Sequence, residues 1–165
     1  MPDSPNTNPM VIDVGQTLRE LTDVGEQLRQ ACAHACGLHP TDFKALGMIQ
    51  RAKDEGNALT AGDLATRLDL SSGAVTYLVE RLASAALVER DSDPQDRRKV
   101  LLKPTAKGYE LAYTARKNNH EVIKQVLSEL SQDDAETSLR AMRLLRDALQ
   151  HRVEVVRTRE PGQGA

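Results

Sequence analysis

The chain predicts a mainly α-helical fold carrying one small β-hairpin, and three observations predict it. Apolar residues recur at helical spacing along most of the length. Ser, Thr and Pro stand where helices would begin. Two strand-like segments, 87–90 and 99–103, flank the polar loop DSDPQDRR. With 165 residues, 39% of them hydrophobic and 28% charged, there is room for one ordinary core with elongated helical extensions.

Taken in order, residues 1–10 are rich in Pro, Asn and Ser, show no periodicity and read as a disordered tail, so order is expected from Val11. Val14, Leu18, Leu21, Leu28, Cys32 and Ala35 then recur three, four and seven apart, the seam of a helix suited to packing on a partner helix, ended by Gly37. Pro40 and Thr41 open a second helix with Phe43, Leu46 and Ile49 on one face, stopping near Gly56 and Asn57. Thr60 and Asp63 have capping-box spacing before a short helix carrying Leu64, Ala65 and Leu68. Ser71 and Ser72 can cap again, and Val75, Leu78, Val79 and Leu82 form the apolar stripe of the next helix. The hairpin with its charged tip follows. Pro104 and Thr105 are expected to start a long helix with Leu111, Ala115, Val122, Val126 and Leu130 at helical spacing. Ser131 with Asp134 caps the last helix, whose seam is Leu139, Met142, Leu145, Leu149, Val153 and Val156 before a second expected tail, 158–165.

Composition removes several function classes. No run of about 18 apolar residues could span a bilayer, and MPDSPNTNPM lacks the basic and apolar segments of a secretory leader, so a cytoplasmic protein without membrane contact is expected. There is no phosphate-binding glycine loop, HExxH or nucleophile elbow, so an enzyme is not expected, nor a cofactor. A net charge of -2 is unusual for a nucleic-acid binder, but Arg97, Arg98 and Lys99 are consecutive, flanked by Arg90 and Lys103. One Phe, three Tyr and no Trp offer few stacking platforms for single strands, which favours duplex DNA.

Advancing each residue of 72–85 by about 100 degrees separates two faces. Opposite the apolar stripe lie Gly73, Thr76, Tyr77, Glu80 and Ser84, with Arg81 at the border. These are small or hydrogen-bonding residues, as a helix in a major groove needs. Ser71, Ser72 and the helix N-terminus are placed to meet phosphate. The same face also fits a surface helix that merely meets water. The hairpin favours DNA, since it sets Arg97 and Arg98 beside this helix for phosphate or minor-groove contact. Pairing with Asp93 and Asp96 is the competing use of those arginines, and one aspartate can also orient an arginine that touches DNA.

The stretch LTAGDLATRLDLSSGAVTYLVERLASAALVERDSDPQDRRKVLLKPTAKGYEL, residues 59–111, resembles the MarR family of regulators, most strongly in VERDSDPQDRRKVLL at 88–102, and the flanking helices fit it as well. The resemblance implies a winged helix-turn-helix core at 38–104 within one domain at 11–157, dimerising through helices at 11–37 and 105–157. By position it implies a recognition helix bearing Ser71, Ser72, Gly73, Thr76, Tyr77 and Arg81, and a wing bearing Arg97 and Arg98. The implied function is a homodimeric, sequence-specific duplex-DNA-binding regulator, a repressor released by a small-molecule effector. The alternative is a winged-helix dimer without DNA binding that works on other proteins. Three departures stand out: Ala85 and Ala86 where the family often has a helix-ending glycine, Gln95 in place of a further arginine, and Pro104 in place of leucine.

Other residues invite several readings. On a helix His34 points away from Cys32 and Cys36, so the three cannot share an ion; no metal site is expected, and the cysteines read as apolar thiols, redox sensors or partial metal ligands. By resemblance an effector would meet His39, Phe43, Met48 and Tyr113, each of which equally suits plain core. Arg140, Arg143, Arg146 and Arg152 read as a solvated face offset by Glu136, Asp147 and Glu154.

Overall fold

The computed structural model describes residues 8–93, 96 and 99–158, for Asn118 the backbone alone, and among these runs six helices and three short strands. Order starts before Val11. Asn8 caps α1 (Pro9–Ala35) by accepting from the Met10 N–H at 3.0 Å, and Pro9, which has no N–H to leave unpaired, suits the first turn. The other helices are α2 (Pro40–Asp54), α3 (Ala61–Leu68), α4 (Ser72–Ser84), α5 (Ala106–Ser128) and α6 (Gln132–Thr158). The chain divides into two compact units, one up to Arg116 and one from Lys117, with α5 running through the division.

In the first unit four helices end by the same device, a residue with positive φ that lets following N–H groups turn back onto the last carbonyls. Gly37 (φ 66°) ends α1, Gly56 (φ 74°) ends α2, Asp69 (φ 54°) ends α3 and Ala86 (φ 55°) ends α4. The closing bonds are Leu38 N–H to Ala33 O, Asn57 N–H to Ala52 O, Leu70 N–H to Ala65 O and Leu87 N–H to Leu82 O, all 2.8–2.9 Å. Glycine and aspartate accept this conformation readily; Ala86 holds it against its own Cβ.

The strands are β1 (Leu59–Thr60), β2 (Val88–Ser92) and β3 (Val100–Pro104). They form an antiparallel sheet in the order β1-β3-β2, with Leu59 opposite Leu102 and Val88 opposite Pro104. Two expectations change here. A third strand joins the hairpin, and Pro104 closes β3 instead of opening α5. Thr105 has the starting role: its Oγ1 accepts from the Gly108 N–H at 3.1 Å.

The core of this unit gathers Leu46 and Ile49 of α2, Leu59, Leu64 of α3, Val75, Leu78, Val79 and Leu82 of α4, then Leu87, Val88, Leu102 and Ala112. Each such leucine is worth about 1.5–3 kcal/mol on burial. Phe43, expected on the inner face of α2, is only half-buried, and Asp42 and Gln50 share that face instead. At the seam between α4 and α5, Thr105 donates its N–H to Leu87 O and its hydroxyl to Ala86 O, and Lys107 Nζ donates to Ala85 O. Gly108 lies so close that a Cβ built on it would stand 2.0 Å from Leu87 O.

In the second unit the end of α5 and α6 carry no buried residue among those described. Ser131 caps α6, accepting from the Asp134 N–H at 3.2 Å and donating to its carboxylate at 2.6 Å. No helix among the described residues is long and apolar enough to cross a membrane.

Candidate nucleic-acid interface

The helix-turn-helix is built from two capped starts. Thr60 accepts from the Asp63 N–H while its own N–H donates to the Asp63 carboxylate at 2.8 Å, and that backbone donor is the main cause holding Asp63 below the usual aspartate range. Ser71 Oγ accepts from the Ala74 N–H at 3.3 Å and starts α4. The two faces of α4 then separate as their spacing demands. Val75, Leu78, Val79 and Leu82 are buried, whereas Ser71, Ser72, Gly73, Thr76, Tyr77, Glu80 and Ser84 are exposed.

These side chains differ in how much bonding capacity remains. Ser71 Oγ is engaged as the cap. Thr76 donates its hydroxyl to Ser72 O at 2.8 Å and keeps its lone pairs as acceptors. A Cβ added to Gly73 would meet nothing within 4 Å, so packing does not require glycine there. Tyr77 is 60% exposed. Arg81 has a different environment from its neighbours on the helix: its Nε donates to Asp42 Oδ2 at 3.0 Å and its Nη2 to Oδ1, while the guanidinium carbon lies 4.8 Å from the centre of the Tyr77 ring.

Asp42 is the site residue that sequence reasoning missed. It falls three and four residues before Ala45 and Leu46 on the buried stripe of α2 and is 5% exposed. A carboxylate on an apolar stripe requires a cationic partner, and that was the available signal; the partner's identity, 39 residues away, was not. An open cleft of about 700 Å³ lies beside this pair, lined by Leu38, His39, Asp42, Tyr77, Glu80 and Arg81 among others.

In the hairpin, Asp93 N–H donates to Lys99 O at 3.1 Å, Lys99 N–H to Asp96 O at 2.8 Å and Asp96 N–H to Asp93 Oδ1 at 3.4 Å, so the described part of the loop is internally bonded. Lys103 pairs with Asp91, while Arg90 and Lys99 are exposed. Arg97 and Arg98, the expected wing contacts, lie outside the described residues.

The four expected effector residues have separate surroundings. His39 caps α2, its Nδ1 accepting from the Thr41 N–H at 3.3 Å, and reaches the cleft. Phe43 and Met48 are half-buried, Met48 against the core. Tyr113 stacks on Tyr109, with ring centres 6.2 Å apart, and carries Arg116, which pairs with Asp54 at 3.1 Å. Cys32 and Cys36 are half-buried free thiols. Burial first, and the neighbouring Cys32 second, raise Cys36 above the ordinary thiol range, the opposite of what a reactive thiolate needs. No metal-binding group of three or more His, Cys, Asp or Glu occurs among the described residues.

Comparison with known proteins gives a consistent result. A profile of the MarR family matches residues 37–99, which run from just before α2 through β2 and the loop after it, stopping short of β3. An uncharacterized HTH-type transcriptional regulator of Bacillus subtilis, YcgE, is 37% identical over 118 residues, covering 72% of this chain and 69% of YcgE. The HTH-type transcriptional regulator MhqR of the same organism is 29% identical over 103 residues, 62% of this chain and 68% of MhqR. Among solved structures, a MarR family protein from Bacillus stearothermophilus superposes with a TM-score of 0.70 at 22% identity, over 87% of this chain and 99% of the other. MepR of Staphylococcus aureus in its DNA complex gives 0.59 at 20% identity, over 82% and 97%. At those identities the structural likeness speaks for the fold, and the fold it speaks for is the helix-turn-helix with a β-wing described above.

Proposed function

The chain belongs to the MarR family of DNA-binding transcriptional regulators, and on that premise we propose that it is a homodimeric repressor released from its operator by a small-molecule effector. Members of this family are regulators, not enzymes, and typically bind DNA as dimers. The observation that carries the reading is the exposed face of α4, where Ser72, Gly73, Thr76 and Tyr77 stand opposite a fully buried stripe. Small and hydrogen-bonding groups at a helix start are what a major groove admits, and a glycine that packing does not demand leaves room for close approach. Ser71 and Ser72 are assigned to phosphate, Thr76 and Tyr77 to base edges, and Arg97 and Arg98 to phosphate or the minor groove. The DNA complex of MepR lends the same reading support by analogy.

The dimer brings two α4 helices to half-sites about 34 to 36 Å apart, or a multiple of this, on a pseudo-palindromic operator. Leu139, Met142, Leu145, Leu149, Val153 and Val156, all exposed on α6, supply a seam for a second copy. Of the expected effector residues His39, Phe43, Met48 and Tyr113, His39 is the one that lines the open cleft beside Asp42 and Arg81, and the effector is assigned there.

Selection of duplexes from a random pool tests the reading. A two-fold-symmetric site should emerge, and Arg97→Ala with Arg98→Ala should weaken all duplexes and lower the salt slope by up to about 0.9 for each phosphate no longer neutralised. Failure of the folded, dimeric protein to enrich any site would favour the protein-interaction dimer.

A further inference from the structure

We infer that Arg81 is a positioning residue: clamped by Asp42, it fixes the Tyr77 ring for base recognition and makes no phosphate contact of its own. The inference rests on the DNA-binding reading above and deepens it.

Its starting point is the cost of moving Arg81. Asp42 sits in the first turn of α2 at 5% exposure, and each of its carboxylate oxygens takes a different nitrogen of one guanidinium. The flat fork of arginine matches a carboxylate in this two-bond geometry, which lysine cannot reproduce. Turning Arg81 outward to a phosphate would leave that carboxylate buried and uncompensated, the arrangement proteins tolerate least. The same guanidinium lies 4.8 Å from the Tyr77 ring centre, four residues earlier on the helix and therefore on the same face.

Tyr77, by contrast, is 60% exposed and has weak reason to hold one orientation without this neighbour. The chain of contacts runs from a buried anion on α2, through a cation held in two bonds, to an aromatic ring at the helix surface. It ties the ring's direction to the body of the domain. A side chain that reads a base edge gains discrimination from such restraint, because a free rotor can meet the wrong base as easily as the right one.

The test uses the full-length dimer and the duplex selected above, together with duplexes carrying single base-pair changes, at several salt concentrations. Arg81→Ala, Arg81→Lys, Asp42→Asn and Tyr77→Ala are compared, and thermal melting confirms that each is folded. Arg81→Ala and Arg81→Lys should both weaken the selected duplex by about tenfold and flatten discrimination at the base pairs where Tyr77→Ala flattens it, with the salt slope unchanged. Combining Arg81→Ala with Tyr77→Ala should cost little beyond Tyr77→Ala alone, as expected for residues acting as one unit. Arg81→Lys keeps a positive charge beside Asp42 while losing the two-bond fork, so it separates the alternatives even where Asp42→Asn loosens the fold. Three results would overturn the inference while leaving DNA binding intact: a salt slope lowered by about 0.9 in Arg81→Ala, wild-type affinity in Arg81→Lys, or tighter binding by Asp42→Asn, which releases the arginine. Absence of any selected duplex for the wild type would instead overturn the functional reading, and this role with it.

Discussion

The core of the first unit, from α2 to the start of α5, and the helical stretch from Lys117 onward treat their apolar side chains in opposite ways. The first unit buries leucines and valines from α2, α3, α4 and all three strands in one core, with Ala112 of α5, while α1 leaves Val14, Leu21 and Leu28 exposed. The second has helices just as regular, with Val122, Val126, Leu130, Leu139, Leu145 and Leu149 at comparable spacing, yet every one of these is exposed. The difference teaches that helical periodicity reports an apolar face but not what covers it. In α2, α3 and α4 other segments of the chain cover that face; in α1 and α6 it stays exposed on the single chain, where the proposed dimer would bury it.

The sharpest way to break this contrast is to charge the seam. Leu145→Glu with Leu149→Glu alters four side chains across a two-fold axis, and at about 1.5–3 kcal/mol each the pair should cost about 6 kcal/mol or more of association. Light scattering should then show monomers and duplex binding should collapse. Persistence of a dimer would place the interface elsewhere.

A smaller but still large effect belongs to the first unit. Gly108→Ala sets a Cβ against Leu87 O, and the backbone of two elements must part to admit it, costing about 2–3 kcal/mol in urea unfolding. Unchanged stability would show that this seam yields easily. In the other direction, Ala86→Gly should raise stability by up to about 1 kcal/mol, since a left-handed residue is relieved of its steric penalty.

The least of these effects depends on pH. Asp63, held below the usual range by the Thr60 N–H, contributes stability that is full at neutral pH and is lost as pH falls through about 4 towards its lower native value. Asp63→Asn should therefore cost under about 1 kcal/mol at pH 7, because the carboxylate is exposed, and nothing at lower pH. A cost that did not change with pH would assign the loss to something other than the cap.

Much of this is readable from the residues alone, and the reasons are local. The capping box at Thr60, the caps at Ser71 and Ser131 and the two faces of α4 depend on residues within one or two turns, so spacing alone reveals them. The strain at Ala86 follows from the missing glycine. Strand β1 is invisible because two residues have no period; Leu59 and Thr60 are a strand only by pairing with Leu102 and Leu101. Pro104 reads as a helix opener because proline favours first turns, yet it lies opposite Val88 at the end of the sheet. The Asp42–Arg81 pair and the closeness of Gly108 to Leu87 join residues far apart in sequence, where pattern carries no information.

The seam at the end of α4 has a mechanical consequence. Thr105, Lys107 and Gly108 grip the carbonyls or backbone at Ala85 to Leu87, and Asp42 grips Arg81, so the directional fastenings of α4 described above all lie in its C-terminal half. Toward Ser72 the apolar contacts of residues such as Val75 hold it, and these resist sliding less than hydrogen bonds do. The helix is about 20 Å long, fastened by hydrogen bonds at its C-terminal end and held toward its start by the packing of Val75, Leu78 and Val79 in the core. A tilt of about 5° at its root, imposed through the first turn of α5, displaces the tip by about 2 Å, enough to separate a side chain from a base edge.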